Sequence, residues 1–430
     1  VTRPFPPRGG APVRRGHRAS AILCITLLAL ATIVATIGSA ISAQANRPIV
    51  ILISIDGWRW DYLQRFAPRA MTRLAWGGVT AEALIPVFPS KTFPNHYTIV
   101  TGLYPAHHGI VSNNMVDALL PRRFTLEDWD AQQDPRWWGG EPLWITAERQ
   151  GQPAGTMFWP GSDVEIAGER PTFFDVYSHG LANDARVDML LLWLSQSDRI
   201  RPTFLTLYFS DVDTAGHNYG PDGEQTRRAA LDVDAAIGRL VDGVERLGLS
   251  PRVSYVLVSD HGMAALAPDR MIVLDDYLDM STVDLIDTSP IVGISPQPGL
   301  PAESVYKALK DKHPSLDVYT RSTLPEHYRL RNHPRLPEVI GIAADGWHAT
   351  TRRRLARDKS ERGMPRGDHG YDPRNRSMHG LFIASGPAFK SSLTVPAFEN
   401  IHIYELLCRV LRLRPAANDG DPTVTTSFLR

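Results

Sequence analysis

Pro48-Ile49-Val50-Ile51-Leu52-Ile53-Ser54-Ile55 is an almost unbroken apolar run, and it stops on Asp56-Gly57. A strand this apolar must be covered on both of its faces, as in a parallel sheet with helices above and below. The pattern recurs. Phe204–Phe209 runs through Ser210 into Asp211 and Asp213, and Val253–Ser259 runs into Asp260-His261. Thr80–Val87 and Leu381–Ala384 are further strand candidates. Helix-length segments lie between them: Trp58–Trp76, Phe93–Gly102, Asp184–Gln196 and Gly223–Leu247. The last carries Ala230, Val233, Ile237, Leu240, Val241 and Val244 at helical spacing. The expected fold is therefore α/β, a mostly parallel sheet with helices on both faces. Val116–Val164, rich in Trp, Pro and Gly, and Met263–Gly370, rich in Pro, Arg and His, break the rhythm. Both read as loop insertions above the sheet. No repeat or low-complexity linker divides the chain, so residues 46–430 are expected to form one domain with an insertion at about 264–366.

The 430 residues are 43% apolar and 21% charged, an ordinary globular composition. Lys plus Arg and Asp plus Glu both number 46, so no broad basic face favours a nucleic-acid duplex as partner. Arg3, Arg8, Arg14, Arg15 and Arg18 precede an apolar run over residues 19–41, followed by Ala43-Gln44-Ala45. This is the pattern of an export signal cleaved after Ala45, with an uncleaved membrane anchor as the alternative for so long a run. Val1 fits an alternative start codon, which points to a bacterial periplasm or the extracellular space; membrane contact is expected only through such an anchor. Of the two cysteines, Cys24 lies inside the apolar run, and Cys408 reads as a small buried hydrophobe without a disulfide partner.

Chemistry gathers at the strand ends. Asp56, Asp213 and Asp260 all follow strands, and ligands of open α/β sheets bind beyond the carboxyl ends of strands. Three carboxylates sharing a cleft repel one another unless a cation is present. Each comes with histidine: Asp213-x-x-x-His217, Asp260-His261, and His369 in Gly367-Asp368-His369-Gly370. Imidazole with carboxylate suits zinc, and six such groups fit a two-metal centre. Any one pair alone is more often a cap or turn; their joint occurrence at three strand ends reverses that preference. Thr92 in Ser90-Lys91-Thr92-Phe93-Pro94-Asn95-His96 is the nucleophile candidate, since Pro94 places it at a helix N-terminus, where the dipole favours an alkoxide and a phosphate. Lys91 is expected to be solvated and His96 to pack on the helix face.

Lys91-Thr92-Phe93-Pro94-Asn95-His96 and Ser54-Ile55-Asp56-Gly57 resemble the nucleotide pyrophosphatase/phosphodiesterase family of the alkaline phosphatase superfamily. The resemblance continues through Thr101–Pro105, Phe158–Ser162, Asp213–His217, Ser259–Met263, His369–Asp372 and Met378–Phe389, and is thinnest over 264–366. It implies an alkaline-phosphatase-like fold and two Zn2+ ions. Asp56, Asp260 and His261 match the ligands of the zinc that binds Thr92, and Asp213, His217 and His369 those of the other. Thr92 matches the nucleophile of a phospho-enzyme intermediate. Asn113, otherwise a turn residue, matches a hydrogen-bond donor to a phosphoryl oxygen. Phe93, Tyr177 and Tyr208 match an aromatic slot for a nucleobase, with Leu126 beside it.

The implied reaction is hydrolysis of phosphodiester or pyrophosphate bonds of nucleotides, releasing a nucleoside 5'-monophosphate. A phosphomonoesterase would need further cationic groups, and a phospholipid or phosphocholine diesterase would share every ligand and differ in the pocket. A catalytically silent binding protein of the same fold would have lost a ligand or Thr92, and here all are present. His107, His108, His313, His327, His333 and His379 are set aside as ligands, and His348 near Asp345 is left without a role.

Overall fold

The computed structural model describes residues 1–6, 9 and 47–430. The proposed export signal and its cleavage point therefore lie outside the described residues. Eight strands make the central sheet: β1 (Ile49–Ile55), β2 (Gly78–Ala81), β3 (Ala154–Met157), β4 (Phe173–Asp175), β5 (Phe204–Phe209), β6 (Val253–Val258), β7 (Phe382–Ser385) and β8 (Leu393–Val395). Their spatial order is β8-β2-β7-β6-β1-β5-β3-β4. Neighbours pair in parallel except β7, which runs against both β6 and β2. The sheet is thus mostly parallel, as the sequence implies.

β1 is central and buried along its whole length. Its side chains alternate between two cores, as a period of two requires. Ile49, Ile51, Ile53 and Ile55 pack with one cluster, Val50 and Leu52 with the other. The first face is covered by α1 (Arg69–Trp76), α3 (Asn183–Leu194) and α5 (Glu224–Arg246); the second by α2 (Thr92–Thr101) and α6 (Ile403–Leu411). A further helix, α4 (Asp211–Tyr219), continues from β5 past the sheet end. Full burial of an isoleucine contributes roughly 1.5–3 kcal/mol relative to exposure, and the one polar residue of β1, Ser54, is buried with His96 Nε2 2.7 Å from its Oγ. Asp234 of α5 accepts the Met71 and Ala70 N–H groups at 2.8 and 3.1 Å, capping α1 from a neighbouring helix.

Some elements differ from the sequence reading. Thr80–Val87 is two short strands, β2 and Leu84–Ile85. Trp58–Trp76 is two helices, Tyr62–Phe66 and α1, parted where Pro68 takes an extended conformation. The stretch taken as a loop insertion over Val116–Val164 contains β3, which pairs with β5 inside the main sheet. Ala-Gly-Thr-Met has no run of β-branched residues, and so gave no strand signal. Met263–Gly370 holds its own four-stranded antiparallel sheet: Val283–Asp287, Ile291–Pro296, Val339–Ala343 and Leu316–Thr320, in that spatial order. Residues 48–430 form one compact unit. Among the described residues no helix is long and apolar enough to cross a membrane. Cys408 is buried and free.

His108 carries a pH signature for this core. It is fully buried, its Nδ1 accepts the Ile110 N–H at 3.1 Å, and its Nε2 lies 3.0 Å from Thr98 Oγ1. Burial pushes its pKa down from 6.5 to about 3. The unfolded chain then takes up a proton that the folded chain refuses. This share of stability is full above about pH 6.5 and falls as the pH drops towards 3, by up to about 1.4 kcal/mol per unit. In urea titrations, the stability advantage of wild type over His108→Gln is expected to shrink by roughly 2 kcal/mol between pH 7 and pH 4.5. A constant advantage would exclude a buried neutral His108.

Candidate metal centre and phosphoryl site

The carboxyl ends of β1, β5 and β6 bring the strand-end carboxylates together. Asp56 follows β1, Asp260-His261 lies just beyond β6, and Asp213 and His217 stand one turn apart on α4. His369 follows a two-residue strand, Gly367–Asp368. His217 Nε2 and His369 Nε2 lie 3.4 and 3.6 Å from Asp213 Oδ1. His261 Nε2 lies 3.0 Å from Asp260 Oδ2 and 3.4 Å from Asp56 Oδ1. Asp213, His217 and His369 form one group able to hold a cation. Asp56, Asp213 and His261 form another, so the two clusters abut.

Three features make this a cation site rather than a salt-bridge cluster. Asp56 Oδ1, Asp213 Oδ1 and Asp260 Oδ2 are buried with no hydrogen-bond partner, a costly condition for a carboxylate oxygen. Each histidine turns Nδ1 to a backbone carbonyl: His217 to Gly367 at 2.9 Å, His261 to Gly262 at 2.9 Å, His369 to Ser90 at 3.1 Å. Those bonds fix the tautomer and leave Nε2 lone pairs facing the carboxylates, as in metal-bound histidine. The His261 and His369 rings are stacked with centroids 3.5 Å apart, a poor arrangement for two imidazolium ions. The residues present therefore fit divalent cations, and O/N donors of this kind suit zinc.

The electrostatics agree. Burial, then Asp260 and Asp213, push the Asp56 carboxyl well above the usual carboxylate range. Burial opposes charge on Asp260 too, but His261 and His96 outweigh it and hold that carboxyl well below the usual range. Burial, then His261 and His217, hold the His369 imidazole far below its ordinary value.

Thr92 opens α2, with Oγ1 3.4 Å from His261 Nε2. Asn113 Oδ1 accepts the Phe93 N–H at 3.0 Å, which leaves the Asn113 amide NH2 free to donate. Thr92, Phe93, Leu126, Tyr177 and Tyr208 line a cavity of about 320 Å3 together with Trp159. Tyr177 is half-exposed and meets Phe158 and Tyr208 edge-on at 5.3 and 5.9 Å. A larger hollow of about 1010 Å3, beside residues 218–223 and 363–366, holds none of these residues.

Two expectations need correction. Lys91 is not solvated; it is buried and pairs with Asp287 of the inserted sheet. His96 does more than pack on a helix face. Its Nδ1 lies 2.8 Å from Thr92 O and 3.3 Å from Asp260 Oδ2, and its Nε2 lies 2.7 Å from Ser54 Oγ. With both nitrogens engaged it supports Asp260. Sequence reasoning also missed that Tyr208 donates its hydroxyl to Asp56 Oδ2 at 2.6 Å, joining the aromatic slot to the carboxylates. A tyrosine three residues before α4 carries no signal of that bond.

Convergence this tight depends on glycine. Gly57, directly after Asp56, has φ +67°, and a Cβ there would stand 2.9 Å from the Asp213 Cα. Gly57→Ala is expected to cost roughly 1–3 kcal/mol in thermal unfolding and to lower bound metal. Unchanged melting and metal content would show that Asp56 and Asp213 need not approach so closely.

Residues 50–372 match the family described as type I phosphodiesterase/nucleotide pyrophosphatase. Human ectonucleotide pyrophosphatase/phosphodiesterase family member 5 is 34% identical over 385 residues, covering 90% of this chain and 79% of the relative. Mouse bis(5'-adenosyl)-triphosphatase is 36% identical, covering 90% and 83%. The venom phosphodiesterase of Crotalus durissus collilineatus is 37% identical, covering 86% of this chain and 45% of the relative. The solved structure of murine ectonucleotide pyrophosphatase/phosphodiesterase 5 superposes with a TM-score of 0.84 at 35% identity, covering 89% of this chain and 100% of the murine one. An inactive variant of that murine protein, in complex with AMP, gives 0.83 at 34% identity. The chain belongs to the type I phosphodiesterase/nucleotide pyrophosphatase family, hydrolases that act on phosphoric diesters.

Proposed function

We propose that the protein is a zinc-dependent nucleotide pyrophosphatase/phosphodiesterase that works through a phospho-threonine on Thr92. The observation that carries the reading is the set of three unpartnered carboxylate oxygens converging with three imidazoles beside Thr92. Asp56, Asp260, His261 and Thr92 would hold one Zn2+, and Asp213, His217 and His369 the other. When bound, the two ions would lower the pKa of a nearby hydroxyl and offset charge on the phosphoryl oxygens.

The chain's own residues do the rest. Phe93 and Tyr177 grip the base face, with Tyr208 closing the slot towards Asp56. Stacking tolerates any base, so the slot suits nucleotides broadly. The Asn113 amide donates to a phosphoryl oxygen, and the N-terminus of α2 favours the added negative charge. Thr92 Oγ1 gives up its proton to solvent and attacks phosphorus in line, and the P–O bond to the alcohol or pyrophosphate breaks, the leaving group taking the electron pair. Water then attacks the phospho-threonine, the Oγ1–P bond breaks, and the 5'-monophosphate leaves. The AMP-bound murine relative is an inactive threonine-to-alanine variant, which agrees with a threonine at the centre of catalysis. The words ectonucleotide and venom in the relatives' names support export as part of this reading.

ATP incubated with the purified protein is expected to give AMP and pyrophosphate; ADP and phosphate would instead place it among monoester-type hydrolases. Thr92→Ala is expected to keep AMP binding and lose at least about 1000-fold in kcat. Near-normal turnover in that variant would exclude Thr92 as nucleophile. Chelation is expected to abolish activity and lower Tm, with both restored by zinc, because the three buried carboxylates then lose their counter-charge.

A further inference from the structure

Asp287 ends the first strand of the inserted sheet, and its carboxylate reaches the residues that precede Thr92 and Asn113. Oδ2 pairs with Lys91 Nζ and also accepts the Ser112 hydroxyl at 2.9 Å. Oδ1 accepts the Thr288 N–H at 3.0 Å. The Lys91 and Asp287 side chains are only 6% and 10% exposed, so the pair is nearly dry. Lys91 directly precedes Thr92, and Ser112 directly precedes Asn113. One carboxylate oxygen thus ties together the residues next to the nucleophile and next to the phosphoryl donor.

The surroundings leave little slack. Lys91 is the extended residue at the start of α2, and its carbonyl accepts the Asn95 N–H and side-chain amide at 3.2 and 2.9 Å. Moving Lys91 would therefore swing Thr92. The turn after Asp287 also touches the other half of the centre: Ser289 Oγ donates to Asp368 Oδ2 at 2.7 Å, next to His369. A Cβ at Gly370 would meet Pro290 Cδ at 2.9 Å and Lys91 Cε at 3.1 Å, so turn, lysine and histidine loop are packed together. A buried ion pair seldom repays its own desolvation, which makes stability alone a poor account of Lys91 and Asp287.

We propose that Asp287 is a positioning residue for phosphoryl transfer. It sets the spacing between Thr92 and Asn113, and through it the inserted sheet governs the rate of the chemical step. The inference rests on the roles given above to Thr92 and Asn113. Asp287 itself does not line the aromatic slot, so the effect is expected in kcat rather than in substrate affinity.

The test uses the full protein loaded with zinc. Asp287→Asn is expected to lower kcat about 10- to 100-fold, the scale of a misplaced reacting group, with KM within about 2-fold. Bound metal and AMP affinity should stay at wild-type levels, and Asp287→Glu should recover part of the rate. Ser112→Ala removes one hydroxyl and no charge; it keeps the question open to experiment if Asp287→Asn folds poorly, and should lower kcat several-fold on its own. In an Asn113→Ala background the effect of either change should largely vanish, because the group being positioned is gone. Full additivity with Asn113→Ala, or a loss that appears in KM or metal content rather than kcat, would overturn the inference alone. Wild-type turnover by Asn113→Ala would instead remove the reading of Asn113 and the inference with it.

Discussion

Mutual repulsion among Asp56, Asp213 and Asp260 is the constraint around which the rest of the molecule is arranged. Each has a buried oxygen without a partner, and burial with like charge drives Asp56 towards its protonated form. Divalent cations, which these residues fit, would relieve that repulsion. The backbone-oriented histidines supply lone pairs to receive them. The parallel strands supply the convergence, since β1, β5 and β6 end side by side. The stability of the central sheet and the chemistry at its edge are therefore linked through one small volume.

Around that volume the support is layered. His96 braces Asp260, Tyr208 braces Asp56, and Ser54 beneath holds His96. Trp159 donates its indole N–H to the His96 carbonyl at 3.0 Å, so the cavity wall and α2 are joined as well. These contacts tie the aromatic lining of the cavity to the carboxylates and to α2.

The inserted sheet has its own core, in which Ile272, Val292, Ile294, Val305, Val318 and Val339 pack together. It is anchored to the main body by groups that lie close to the reaction. Arg335 donates to Asp117 and to the carbonyls of Gly109, Trp137 and Arg136, pinning the chain on both sides of Asn113. Asp287 reaches Lys91 from the same sheet. An element that looks peripheral in the topology is thus tied to the segments that carry Lys91 and Asn113.

The amino-acid sequence by itself determined the α/β class, the central strands β1, β5 and β6 and the six Asp and His groups near their ends, because apolar runs and Asp-His pairs are local patterns. Family motifs added Thr92, Asn113 and the aromatic residues. Only the tertiary structure decided what lies between distant segments. Asp287 meets Lys91 across 196 positions, and Tyr208 meets Asp56 across 152. β3 enters the sheet through its neighbours, though its four residues have no strand pattern of their own. Periodicity reports which face of an element is buried; it carries no information about which polar side chain will stand opposite another once the faces close. Pairing of that kind is set by packing, and so the partners of Lys91 and Asp56 were legible only when the chain was folded.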